Sequence, residues 1–123
     1  MAISYRIDPE HRVVFTELNG KLTVEDVRGF RERLEEELGH TTVFNRLIDA
    51  RGLTRDFTPA EIRSLADLVR VKDRGMSPSR RAVVMEDAQV VALMQVFQAY
   101  TRGDPADYRV FRTMEEAERW LES

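Results

Sequence analysis

The residues with the most chemical potential sit in one short run, LIDARGLTRDFTPAEI, at positions 47–62. An apolar strand ends near Asp49, arginines follow at 51 and 55, and Thr58 stands at the start of a helix. Two guanidiniums beside the unbonded N–H groups of a helix's first turn are the ingredients of an anion site, or of a docking loop for a partner. Asp49, Arg51, Arg55 and Thr58 are therefore the candidate partner or anion loop. A structural account competes for the same residues. Thr58, Pro59 and Glu61 supply an N-cap, an N1 proline and a capping-box carboxylate, which explains all three without a ligand. Only the arginines are left over. The loop reads first as a corner of the fold and second as a site.

Two further stretches hold side chains worth weighing. In VRVKDRGMSPSRR (69–81), Arg70, Lys72, Arg74, Arg80 and Arg81 surround one acid, Asp73. Such a patch can dock an acidic partner or a phosphate head group. Cations near a helix C-terminus also offset the macrodipole with no ligand, and that simpler role is the expectation. In DAQVVALMQVFQAY (87–100) no charge follows Asp87, although one residue in three is charged across the chain. Val90, Leu93, Met94 and Phe97 already supply the single apolar stripe that a helix on a sheet requires. Val91, Ala92, Val96 and Ala99 carry apolar surface past that stripe, and the polar residues between them are uncharged glutamines. Depleted charge with methionine and aromatics is the composition of an interface core or of a ligand pocket's lining. Val90, Val91, Met94, Val96, Phe97 and Tyr100 are thus the candidate interface or pocket residues. The competing account is a helix buried on several sides of the monomer, and a domain this small has few places for one.

Patterns of known catalysis are missing. No GxSxG, HExxH, Walker or GxGxxG run occurs. The chain has no cysteine, which excludes disulfides, thiolate metal sites and thiol catalysis. His11 and His40 stand apart in turn-like positions and are expected to be exposed polar residues, not ligands or bases. Asp49 is the one acid at a strand's carboxyl end, and alone it defines no reaction. The expectation is a protein that is not an enzyme and uses neither cofactor nor metal.

Positioning these residues requires a definite set of elements. Residues 3–7 alternate, DPEH turns the chain, and residues 12–18 return as a second strand. Asn19-Gly20 marks a turn, and Thr23 opens a helix whose stripe is Val24, Val27, Phe30, Leu34 and Leu38. Leu22 and Val27 form its staple and Gly39 its stop. Arg28, Arg31, Glu32, Arg33 and Glu35 to Glu37 are read as its solvated face. Residues 42–50 make a third strand. The helix begun at Thr58 runs to about Arg74, with Ile62, Leu65, Ala66 and Val69 inward. Residues 80–86 are a fourth, central strand, and Asp87 caps a helix reaching about Tyr100. Residues 108–112 are a fifth strand. Thr113 and Glu116 cap a last helix that buries Ala117, Trp120 and Leu121, with Trp120 expected against strand residues such as Val110. The order β-β-α-β-α-β-α-β-α calls for an α/β fold with right-handed crossovers and a mixed, mostly parallel five-stranded sheet.

Length and charge agree. The chain's 123 residues suit one domain, 1–123, and the 42% apolar, 33% charged balance is that of a globular protein. A net charge of −3 and a pI near 5.5 give no general attraction to nucleic acid. The opening MAISYRIDPE lacks a basic and then apolar leader, and the longest charge-free stretch, 88–101, is too short to span a bilayer. A cytoplasmic protein that does not span a membrane is expected.

The element order, LIDARGLT before a capped helix, and the ending VFRTMEEAERWL resemble the STAS superfamily, the sulfate-transporter and anti-sigma-antagonist domain. The nearer resemblance is to its SpoIIAA-like branch, sometimes grouped with CRAL-TRIO lipid-binding domains. It covers almost the whole chain. It implies a small β/α domain that recognises a partner or ligand and does no chemistry of its own. In the anti-sigma antagonists an Asp-Ser-Ser-Gly loop after the third strand is phosphorylated on serine. Here Asp49, Gly52 and Thr54 match the run into that loop, but Phe57-Thr58-Pro59 stands where Asp-Ser-Ser would be. The serine and the motif's glycine are missing.

Three functions follow. The first is a non-catalytic interaction module that pairs with another protein, foremost a second copy of itself, through residues 88–100. The second is a carrier of a small apolar molecule or lipid, with that helix as a lid. The third is a phospho-regulated antagonist acting through Thr58 or Thr54.

Overall fold

A computed structural model describes residues 2–39 and 43–123. The elements run β1 (Ile3–Asp8), β2 (Val13–Gly20), α1 (Val24–Leu38), β3 (Asn45–Leu53), α2 (Pro59–Asp73), β4 (Ser79–Val84), α3 (Ala88–Thr101), β5 (Ala106–Phe111) and α4 (Met114–Glu122). The five strands form one sheet in chain order, with β1 antiparallel to β2 and every later pair parallel. This is the α/β arrangement the periodicities require.

Local chemistry accounts for the helix starts. Thr23, Thr58, Asp87 and Thr113 are N-caps, each accepting from a backbone N–H of the first turn. Each contributes about 1 kcal/mol. Thr23 and Thr58 form complete capping boxes with Asp26 and Glu61. Gly39 closes α1 at φ +81°, a conformation that favours glycine.

Several boundaries move. β3 starts at Asn45, three residues later than expected, and continues through Ala50 to Leu53. Asn19 and Gly20 are not a turn. After a bulge between Glu17 and Asn19 they pair with Gly52 and Leu53, which extends both strands. Gly52 is obligatory there, because a Cβ would run into Asn19 Oδ1 and lie 2.9 Å from the Leu18 carbonyl oxygen. His40 and Thr42, read above as a turn residue and a strand start, lie outside the described residues.

Alternation divides the sheet into two faces. Leu47, Ala82 and Val84 pack under Ala117 of α4, with Phe111 and Trp120 against them. The opposite face carries α1, α2 and α3 over Ile3, Val14, Ala50, Val83 and Met85. Trp120 departs from expectation. Val110 points to the three-helix face, and the half-buried indole instead meets Phe111 at 5.6 Å between ring centroids. Arg80 and Arg109 sit over the same ring at 5.2 and 5.0 Å.

Candidate functional site

The loop after β3 is short, because the strand takes up Arg51 to Leu53. Arg51 curls back on Asp49, with Nε donating to Oδ1 at 2.9 Å and Nη2 to Oδ2 at 2.8 Å. That bidentate pair holds the Asp49 carboxyl below the usual carboxylate range. Arg55 turns the other way to Asp87, 2.6 Å away, at the start of α3. Thr58 is engaged in its cap, with Oγ1 accepting from Glu61 N at 3.1 Å. The structure thus brings Asp49 and Arg51 together, takes Arg55 to another element and leaves Thr58 at the head of α2. Each arginine already has a carboxylate.

The basic stretch 69–81 has a different fate from the one expected. Asp73 and Arg81 are buried on the three-helix face of the sheet, not solvated beside a helix end. Arg81 donates to both Asp73 oxygens at 2.7 and 2.8 Å, and Arg31 of α1 reaches Oδ1 at 2.6 Å. Arg81 Nη1 also donates to the Tyr108 hydroxyl at 2.6 Å. Burial alone would raise the Asp73 carboxyl, but the two guanidiniums reverse this and hold it below its ordinary value. On the neighbouring strand Arg46 pairs with Arg81 across the ladder, so it shares that face and is buried too. Its guanidinium lies 5.5 Å from the Phe30 ring. Among the described residues it has no hydrogen-bond or ion-pair partner. Arg31, read from the sequence as part of α1's solvated face, is buried, and Arg46 was passed over; the signal for both was positional. Arg46 shares the alternation of Ile48 and Ala50, and Arg31 lies one helical turn after Val27.

α3 is seated at its ends. Asp87 and the buried Val90 hold the start. At the other end Thr101 is buried, Gln98 Nε2 donates to the Tyr108 carbonyl at 2.7 Å, and Phe97 meets Tyr108 edge-on at 5.1 Å. Between these anchors Leu93 and Met94 are only half-buried, as is Phe97 itself. Beneath them, against the sheet, α1 and α2, lies an apolar cavity of about 140 Å³. Of the six candidate pocket residues, Val90, Met94 and Phe97 line it. Val91, expected to point outward, is half-buried against Val83 and Met85. Val96 and Tyr100 are the exposed pair, at 42% and 36% of their surface. Arg31, Arg46 and Thr16 are among the cavity's lining, which is otherwise mostly apolar. The Thr16 hydroxyl and Arg31 Nη1 are buried without a hydrogen-bond partner.

Among the described residues, one group of potential metal ligands converges, Asp8, Glu10 and His11 in the β1–β2 turn. His11 Nδ1 is already 2.8 Å from Asp8 Oδ2, and this hydrogen bond raises its pKa above the usual imidazole value. No helix of the described residues is long and apolar enough to cross a membrane.

Against known proteins, a family model described as SpoIIAA-like matches residues 13–122. The crystal structure of an uncharacterized protein from the DUF3478 family with a SpoIIAA-like fold, from Shewanella loihica PV-4, superposes with a TM-score of 0.66. It shares 21% identity over 98% of this chain and 92% of that one, a likeness of fold. No curated protein matches. The strand order, the paired faces and a match over nearly the whole length agree: this chain belongs to the SpoIIAA-like family.

Proposed function

We propose that the protein is a non-catalytic binding module that holds a small apolar ligand between its sheet and α3. Domains of this type generally serve protein interaction and regulation and are generally not catalysts. The observation that carries the reading is the 140 Å³ apolar cavity beneath the half-buried middle of α3. A void of that size next to a well-packed sheet is a standing loss of dispersion contacts, which an apolar guest restores. It is close to the ~150 Å³ engineered cavity that takes benzene. Titration with 1-octanol, followed by calorimetry and melting temperature, tests this. Saturable binding with a rise in melting temperature is expected for the wild type, and Leu93→Trp, which fills the cavity from the loosely seated helix, should abolish both. No saturable binding by the wild type would overturn the reading.

A second reading rests on Val96 and Tyr100. These exposed apolar side chains share a helix with the exposed Ala92 and Ala99, and a second copy of the chain would cover them. Sedimentation velocity should then show a concentration-dependent dimer that Val96→Glu converts to a folded monomer. A wild type that stays monomeric at high concentration removes this reading and leaves the first.

A further inference from the structure

The charges buried on the three-helix face do not balance. Arg31, Arg46 and Arg81 are 6%, 7% and 2% exposed, and the one carboxylate buried with them, Asp73, is 1% exposed. Asp73 spends its oxygens on Arg81 and Arg31. Arg46 is left with the face of Phe30 and no anionic partner among the described residues. Buried charges in folded proteins are paired, because an isolated one forfeits its hydration for nothing. Burial first, and then the positive charges of Arg81 and Arg31, push the Arg46 guanidinium well below its ordinary pKa. Arginine nevertheless keeps its proton in proteins, so the site remains short of negative charge.

The shortage has a place. Arg46 and Arg31 line the apolar cavity, whereas Arg81 does not reach it. Arg31 Nη1 has no acceptor there. The Thr16 hydroxyl, also unpaired, lies on β2 two positions beyond Val14, the ladder partner of Arg46. Two unpaired buried donors and the unpaired charge of Arg46 therefore belong to the lining of a space whose other walls are almost entirely apolar. A free inorganic anion would satisfy the donors and leave the cavity empty. A neutral apolar guest would fill the cavity and leave the donors unpaired. A planar carboxylate suits a guanidinium fork, and an apolar body of roughly six to eight carbons suits the volume.

Building on the cavity reading above, we propose that the ligand is a small apolar monocarboxylate, its carboxylate on Arg46 and Arg31 with Thr16 donating to it, and its hydrocarbon body under α3. The chain's own sheet supplies the counter-charge, and α3 covers the tail.

The test compares octanoate with 1-octanol, which share a tail and differ in charge. Calorimetry at neutral pH on the wild type should give octanoate binding about 10- to 100-fold tighter than octanol, the ratio of a charge-assisted hydrogen bond. In Arg46→Met the preference should vanish while octanol binding persists, and Arg46→Lys should recover part of it. Without ligand, Arg46→Met should melt higher than the wild type, because it removes an uncompensated buried charge. A purely structural arginine would instead lower the melting temperature on removal. Equal affinity of the wild type for both probes overturns the carboxylate assignment and leaves the apolar cavity reading standing. Saturable binding of neither overturns both. Should Arg46→Met fail to fold, the wild-type ratio alone decides.

Discussion

On the α4 face, Trp120 lies against Phe111 between two arginines, and Leu47, Ala82 and Val84 are sealed beneath Ala117. The arginines there keep their heads at the rim, and Arg80 donates to carbonyl oxygens at the end of α4. On the other face the same strands send Arg46 and Arg81 inward, beneath three helices that do not close over the sheet. One face is packed with apolar contacts and holds its cations at the edge. The other keeps both a void and three buried cations, against which a single buried carboxylate is set. A face optimised for stability alone would resemble the first, and the proposed ligand site accounts for the departures concentrated on the second.

The difference is sharpest at Asp73. Asp73→Asn should cost about 3–5 kcal/mol in urea unfolding, because it strands two buried guanidiniums. The lowered native pKa of this carboxyl fixes the sign with pH. Its contribution is present in full above its unfolded value, near pH ~4, and is lost as the pH falls through the native one. The variant should therefore show a flatter acid limb than the wild type. A cost under ~1 kcal/mol would mean that water reaches the cluster and that the two faces are not distinct in this sense.

Trp120→Ala probes the packed face. Since the indole is half-buried, the cost should be about 2–3 kcal/mol, below the ~3–5 of a fully enclosed ring. Thermal unfolding showing no loss would leave α4 peripheral and the packed face without its anchor. Thr58→Ala, on neither face, should cost about 1 kcal/mol through the lost cap, and octanol binding should be unchanged. Lost binding at that variant would move the site to the loop. The smallest effect is expected at Thr16. Thr16→Val replaces a buried, unpartnered hydroxyl by a methyl of similar shape, so the apo protein should gain about 0.5–1 kcal/mol in chemical denaturation. A loss there would show that the hydroxyl has a partner within the protein.

Much of the architecture was legible because it depends on local signals. Capping residues at 23, 58, 87 and 113, alternation in the strands and the apolar stripes led to the element order and to which helix faces turn inward. The third strand was misplaced because Arg51 and Gly52 read as loop, whereas the bulge on β2 recruits them into the ladder. The polar part of the cavity lining was hidden for another reason. Asp73 lies four residues after Val69, and Arg31 four after Val27, so each continues an apolar stripe by position and breaks it by type. Type prevailed in the reading, since charged residues are rarely buried. Only the spatial meeting of α1, α2, β3 and β4 makes burial tolerable. The cavity had no counterpart in the sequence, because periodicity records which side chains face inward and not whether they fill the space.

The strand order, identical to the chain order, has a consequence for how the protein is made. As the chain leaves the ribosome, the β1–β2 hairpin can form first, and each later unit adds at the one free parallel edge without parting strands already joined. Arg31 and Arg46 are synthesised before Asp73, and Arg81 after it. Arg31 thus waits for its anion until α2 is complete. Dehydration of that face is deferred to a late stage of assembly, when α2 and β4 arrive together and close it.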